Sequence, residues 1–247
     1  MTVLNDRIKQ AAETVLNFGP VIALTGAGIS VESGIPDFRG NNGLWTRYEP
    51  SRYATIDAFM NDPAEVWNML REMDALVNSA KPNPAHIGLG KMEQKGFLQH
   101  IITQNVDNLH QAGGSQNVIE YHGNSSYLSC LHCGNKYTMA EKRQEHLPSC
   151  ECGRILKPDI VFFGESIPEE ALNLSFQLAK KAGTLLVIGT SAQVSPANSI
   201  PSVAAGNLAK IIEINKERTW LTNELTDIFL EGEAGEIITG LVALCET

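Results

Sequence analysis

Short apolar runs at 21–24, 98–103, 117–121, 160–163, 184–188 and 209–214 alternate with longer stretches of helical periodicity. This alternation constrains the fold more than any other feature. Each run is four to six residues long and closes on glycine or polar residues, as a strand buried on both faces does. The connecting stretches are too long for hairpins and suit helical crossovers, which demand parallel pairing. Helices are expected over 4–18, from Asp62-Pro63 to about Asn78, from Asn83-Pro84 to Gly96, and over 168–181. The two Asx-Pro pairs supply a cap and a first-turn proline. Residues 41–61 are polar and aromatic without a clear period.

At 247 residues the chain suffices for one large domain carrying a sub-module. Its net charge of −9 disfavours non-specific nucleic-acid binding and permits basic, lysine-rich peptides as partners. No apolar run approaches bilayer length, and Asn5, Asp6, Arg7 and Lys9 interrupt any signal-peptide pattern. A cytoplasmic location is the expectation, with no membrane partner, and cysteines there stay reduced. Four of the five cysteines fall in two pairs, Cys130-Leu131-His132-Cys133 and Cys150-Glu151-Cys152, with sixteen residues between. Reduced thiols at that spacing read as one four-thiolate zinc site, although C-x-C is tighter than the commoner C-x-x-C. Four sulfurs close the shell, so the metal is expected to be structural. The segment 127–157 carries five Lys/Arg against three Glu, which makes no basic patch for nucleic acid. Cys245 reads as a small packed residue.

The expected fold class is therefore α/β: a Rossmann-like parallel sheet domain with a small zinc-binding module and a helical insertion. Residues 1–40, 89–126 and 158–247 are assigned to the sheet domain, 41–88 to the insertion and 127–157 to the zinc module. No internal repeat is visible, and oligomeric state is not legible.

Three segments carry chemistry. Strand 21–24 runs into Thr25-Gly26-Ala27-Gly28-Ile29-Ser30, where glycines after a first strand let a backbone approach a pyrophosphate. The dinucleotide fingerprint GxGxxG is not met, since Val31 stands at its third glycine, and no acidic residue ends a second strand about twenty residues on. A plain glycine turn fits equally well. Thr103-Gln104-Asn105-Val106-Asp107-Asn108-Leu109-His110 packs amides, a carboxylate and a histidine at a strand's carboxyl end, as α/β active sites do. His122, between Tyr121 and Gly123, can project from a strand end into a cleft. Taken alone, it fits a satisfied core histidine as well as a catalytic group.

Read together, these segments resemble the sirtuins, the NAD-dependent protein lysine deacylases. The resemblance runs from about residue 20 to 235 through GAGIS, GIPDFRG, TQNVDNLH, His122-Gly123, Lys157–Glu165 and Gly189-Thr190-Ser191. It implies transfer of the acyl group of acyl-lysine to ADP-ribose, releasing nicotinamide, free lysine and O-acyl-ADP-ribose. NAD would be a consumed co-substrate, with one structural zinc per chain on Cys130, Cys133, Cys150 and Cys152. His122 would be the catalytic base. Gly26, Ala27, Gly28, Asp37, Phe38, Arg39, Gln104, Asn105, Val106, Asp107, Gly189, Thr190, Ser191, Asn215, Glu217 and, loosely, Ala234 would contact NAD. Val161, Phe162, Gly164 and Glu165 would meet the acyl-lysine protein or peptide. One sirtuin branch holds succinyl groups with a tyrosine and an arginine three residues later; here Leu70 and Met73 fall at those positions, implying an apolar tunnel. An ADP-ribosyltransferase or NAD glycohydrolase using the same pocket is the rival enzyme reading. A non-catalytic NAD- or zinc-dependent binding module is the other.

Overall fold

The computed structural model describes residues 3–38, 40 and 43–247, so Arg39 lies outside the described residues. The main sheet contains β1 (Val21–Thr25), β2 (His100–Thr103), β3 (Val118–Glu120), β7 (Thr184–Ile188), β8 (Lys210–Asn215) and β9 (Ile228–Glu231). A second sheet contains β4 (Gly123–Ser129), β5 (Lys136–Thr138) and β6 (Lys157–Ile160). The main sheet runs β3-β2-β1-β7-β8-β9 and every pairing in it is parallel. From β1 the chain builds outward to β3, then returns to β7 on β1's other side. That reversal makes the crevice between the carboxyl ends of β1 and β7, where such sheets bind ligands.

Alternation along the strands feeds two cores. Val21, Ala23, Ile101, Leu186, Ile188, Ile212 and Ile214 face helices Val3–Asn17, Pro84–Gln94 and Ala234–Cys245. Ile22, Leu24, Ile102, Leu185, Val187 and Ile211 face helices Glu169–Lys181 and Ser199–Gly206. All five residues of β1 and of β7 are buried, as a sheet covered on both faces requires. Each such Ile, Val or Leu contributes about 1.5–3 kcal/mol by leaving water.

The second sheet is antiparallel, with β4 between β5 and β6. Its side chains share a third core with the 44–73 region, including Trp67, Leu70, Leu128, Leu156 and Phe162. Trp67 Nε1 donates to the Leu156 carbonyl at 3.0 Å, and Arg143 grips Asp74 through two bonds of 2.9 and 3.1 Å. The helix Pro63–Ser79 is capped by Asp62, whose side chain accepts from Glu65 N–H.

The expected elements are present, with differences of three kinds. The run read as a strand over 160–163 pairs earlier, as β6, and with the antiparallel sheet; Val161 onward leaves the ladder. An apolar run records burial but not which sheet buries it. The aperiodic 41–61 stretch contains short helices Leu44–Thr46, Pro50–Tyr53 and Ile56–Asn61, each too brief to display a period. β4, β5, β9 and the helices Leu109–Ala112, Met139–Lys142, Trp220–Glu224, Ser199–Gly206 and Ala234–Cys245 are additional to the expected elements. The last of these is apolar around most of its circumference, which blurs the helical signature. Among the described residues no helix is long and apolar enough to cross a membrane.

Candidate active site

A cleft of about 950 Å³ opens at the carboxyl ends of β1, β2, β7 and β8 and extends to the second sheet. Its floor is where two loops meet. Gly28 N–H donates to the Gly189 carbonyl at 2.8 Å, and Gly26 N–H to the Ile188 carbonyl at 3.0 Å. A Cβ on Gly28 would lie 2.7 Å from Gly189 Cα, and one on Gly26 2.7 Å from Thr190 Cβ. The glycines are thus demanded first by the protein's own loop–loop packing, a reason the sequence reading did not supply. Ala27–Ser33 continues as a 3-10 helix rather than an α-helix.

Beyond β2, Gln104, Asn105 and Asp107 project into the cleft. Asn105 Nδ2 donates to the Gly26 carbonyl at 3.2 Å and to Ser30 Oγ at 3.1 Å. Ser30 Oγ donates to Asp107 Oδ2 at 2.7 Å, and Leu109 N–H donates to Asp107 Oδ1 at 2.9 Å. Burial raises the Asp107 pKa, while the Leu109 and Ser30 donors oppose that rise. Gln104 Nε2 donates to Thr190 Oγ1 at 3.1 Å, and Asn215 Nδ2 to the Thr190 carbonyl at 3.1 Å, so β2, β7 and β8 converge on Thr190.

His122 Nδ1 lies 3.0 Å from the Gln104 carbonyl, an acceptor only. The Nδ1 proton is therefore fixed there and the Nε2 lone pair is free. Burial lowers the His122 pKa below its ordinary 6.5, with the Gln104 bond opposing. The following Gly123 has φ +77°, and a Cβ there would strike the Asp159 carbonyl, so only glycine lets β4 start at this point. His86 and His110 sit behind the cleft, buried, with rings 5.0 Å apart. Burial pushes them down to about 4 and about 3, so both are neutral. His110, the last residue of TQNVDNLH, bonds Thr25 Oγ1 at 2.8 Å and is buried.

Of the residues singled out from the sequence, Gly26, Ala27, Gly28, Asp37, Phe38, Gln104, Asn105, Val106, Asp107, His122, Val161, Phe162, Gly164, Glu165, Gly189, Thr190, Ser191, Asn215, Glu217 and Ala234 all line this one cleft. Phe38 stacks on Trp45 with centroids 5.1 Å apart. Met73 lines it too, but Leu70 does not: it packs into the third core and touches only a small side cavity. Met69, Met73, Leu76 and Val77 form the helix face toward the cleft instead. They recur at four- and three-residue steps, a stripe that leaves Leu70 about one hundred degrees round from Met69.

Sequence reading assigned no role to Ser30, Trp45, Met69, Trp220 or Glu213. Ser30 was visible in GAGIS, but only tertiary contact joins it to Asn105 and Asp107. Glu213 is fully buried in β8 and accepts from Thr219, Thr222 and Thr226 hydroxyls at 2.7, 2.6 and 2.9 Å. A carboxylate amid isoleucines was its signal. It ties down the turn after Asn215, whose Lys216–Trp220 residues border the cleft.

The four paired cysteines gather in one cluster, their sulfurs all within 4.8 Å of one another, and none is in a disulfide. Cys130–Cys152 and Cys133–Cys150 sulfur pairs stand 3.5 Å apart. Tetrahedral zinc with bonds of about 2.3 Å separates its sulfurs by about 3.8 Å, so the donor set fits. Two tight turns present the pairs: Gly134 N–H donates to the Cys130 carbonyl at 2.9 Å and Gly153 N–H to the Cys150 carbonyl at 2.8 Å. Both glycines have φ near +80°: +75° and +82°. The cluster is consistent with one structural zinc; among the described residues it is the metal-ligating group found.

Fold and cleft define a Rossmann-like nucleotide-binding protein that carries a zinc-type cysteine cluster in its second, smaller sheet module. Residues 26–196 match the Sir2 family. The NAD-dependent protein deacetylase 1 of Pyrobaculum aerophilum is 44% identical over 241 residues, covering 96% of this chain and 94% of that protein. A Sir2 homologue in complex with ADP-ribose superposes with a TM-score of 0.92 at 40% identity, covering 96% of both chains. Sir2Af2 bound to a myristoylated histone peptide gives 0.84 at 32% identity, covering 98% of this chain and 97% of that one. The chain belongs to the Sir2 family of NAD-dependent protein deacetylases and deacylases, enzymes for which NAD is the co-substrate.

Elemental analysis of freshly purified protein should find one zinc per chain. Cys152→Ser should lower both metal content and melting temperature, since metal binding is coupled to folding of the module. Unchanged zinc and an unchanged melting temperature in that variant would refute the ligand set.

Proposed function

We propose that this chain deacylates protein lysines, with His122 as general base and the nucleotide held between the Gly26–Gly28 and Gly189–Ser191 loops. In that chemistry the acyl oxygen displaces nicotinamide at the ribose carbon, a neighbouring ribose hydroxyl attacks the resulting imidate carbon, and lysine leaves as water adds to complete the O-acyl ester. The observation that carries the reading is the fixed tautomer of His122: Nδ1 on the Gln104 carbonyl, Nε2 unprotonated, the ring partly withdrawn from water. Asn105 and Asp107, held by Ser30, hold the nicotinamide carboxamide. Gln104, Asn215 and Thr190 orient the riboses, and Phe38 covers the reacting carbon. Fixed donors and acceptors in a confined cleft supply rate by positioning. The helices between residues 44 and 79, packed on the second sheet, form the smaller wall and the main-sheet domain the larger. Five free cysteines suit a reducing, cytoplasmic setting.

The acyl end of the cleft is apolar. Leu44, Ala54, Met69, Met73, Leu76 and Val77 line it. The described cations bordering the cleft, Lys216 and Arg218, lie after β8 at the nucleotide end. Arg71 is engaged with the His146 carbonyl, and Arg47 with Glu72. A carboxylate would be buried there unpaired, at high cost.

His122→Ala should reduce deacylation by about two to four orders of magnitude with NAD affinity little changed. Near-wild-type turnover by the folded variant would remove His122 from the role. A base with a lowered pKa is protonated, and lost, only when pH falls through that lowered value. The acid limb of kcat/KM should therefore lie below pH 6.5, the ordinary histidine value; a limb above it would contradict the assignment. Acetyl and other neutral acyl peptides should be preferred over succinyl peptides by at least about tenfold in specificity constant. Equal turnover on succinyl-lysine would mean that a cation reaches the tunnel. Mass spectrometry should identify O-acyl-ADP-ribose; ADP-ribose alone, free or on protein, would overturn the deacylase reading for this chain.

A further inference from the structure

Lys157 is buried, 6% exposed, and its ammonium spends all three donors within one short segment. Nζ donates to the Pro158 carbonyl at 3.1 Å, to the Ile160 carbonyl at 2.7 Å and to Glu165 Oε2 at 2.9 Å. It also sits 4.7 Å from the centre of the Phe162 ring. Glu165 Oε2 in turn accepts Phe162 N–H at 2.8 Å, and Glu165 N–H donates back to the Phe162 carbonyl at 3.0 Å. The segment 157–165 is thus closed into a ring by a cation at one end and a carboxylate at the other.

The bond to Phe162 N–H fixes more than Phe162. That N–H and the Val161 carbonyl belong to one planar trans peptide and point in opposite directions. With the N–H held on Glu165, the Val161 carbonyl is aimed away from it. The adjoining peptides are pinned as well: Val161 N–H on the His122 carbonyl at 2.8 Å, and Phe163 N–H on the Ala54 carbonyl at 2.9 Å. The Val161 carbonyl itself accepts from no described residue, and Val161 lines the cleft. An acceptor one hydrogen bond from the backbone of His122 is therefore held open and rigid.

We infer that Lys157 and Glu165 are positioning residues that aim the Val161 carbonyl at the amide N–H of the acyl-lysine side chain. This rests on the deacylase reading above. Stability alone is a poor reason for the pair, because burying a lysine is costly and an apolar side chain would pack against Phe162 without that cost.

Binding separates the inference from the function. Inhibitory peptides carrying the acyl group through an amide, or through an ester that lacks the N–H, are titrated against the whole zinc-loaded protein. Wild type should prefer the amide by about tenfold, the scale of one well-aligned hydrogen bond. Lys157→Met should bring the ratio to about one and raise KM for acyl peptide, with the affinity for ADP-ribose unchanged. Lys157→Arg should restore the preference. Glu165→Gln keeps an acceptor for Phe162 N–H but loses the ion pair; it should give an intermediate ratio, and with its side chain 24% exposed against 7% for Lys157 it gives the same readout if Lys157→Met does not fold. A folded Lys157→Met or Glu165→Gln protein that keeps the full amide preference would overturn the inference, as would a wild type without one. Wild type that shows the preference yet deacylates nothing would instead sink the functional reading.

Discussion

The contact on which the site depends is backbone against backbone, where the loop after β1 meets the loop after β7. Gly28 and Gly189 approach so closely that no methyl fits on either: Gly28 would set its Cβ 2.7 Å from Gly189, and one on Gly189 would strike the Ile29 amide. Two hydrogen bonds close the seam, from Gly28 to Gly189 and from Gly26 to Ile188. Because the strand order reverses between β1 and β7, the seam becomes the cleft floor. Everything bearing chemistry is referenced to it. Asn105 reaches the Gly26 carbonyl, and Gln104 and Asn215 reach Thr190, so three strand ends are locked to one frame.

From that frame polar groups are carried into buried positions, Asn105, Asp107 and Glu213 among them. Burial is costly for a carboxylate, and each buried acid here is met by donors. Asp107 has Ser30 and Leu109; Glu213 has three threonine hydroxyls. The histidines divide by partner. His86 and His110 are sunk into the core and kept neutral by it, whereas His122 keeps one nitrogen for its own backbone neighbour and leaves the other available.

The second sheet meets the first at His122-Gly123. Tyr121 N–H still bonds the β2 end at Thr103, while the His122 carbonyl already holds Val161 beyond β6. His122, the apolar helix face of Met69 and Met73, and the segment 157–165 are thereby brought together around one cleft. The zinc-type cysteine cluster contributes at a distance. Cys130 and Cys150 are part of the same core as Phe162 and Trp67, so the cysteine module is packed against the cleft wall that Phe162 forms.

Much was legible in the sequence because the relevant physics is local. Strand runs closed by glycine, Asx-Pro helix starts, two cysteine pairs and the polar box after β2 each announce themselves within a few residues. So did nearly every cleft residue named from them. Where long-range packing decides, the sequence was silent or misleading. Leu70 and Met73 share a spacing that suits one helix face, yet only the third core determines which stripe of Pro63–Ser79 it claims, and it claims Leu70. The run at 160–163 looked like a strand of the main sheet; the antiparallel partners of β6 lie in a separate module. The glycines of the first loop were legible as a close approach, but what approaches is Gly189, far away in the chain. Ser30 beside Asp107, and Lys157 beside Glu165 and Phe162, acquire meaning only from folding. A side chain's type is written in the sequence, whereas its partner, and so its protonation state and direction, is chosen by the tertiary structure.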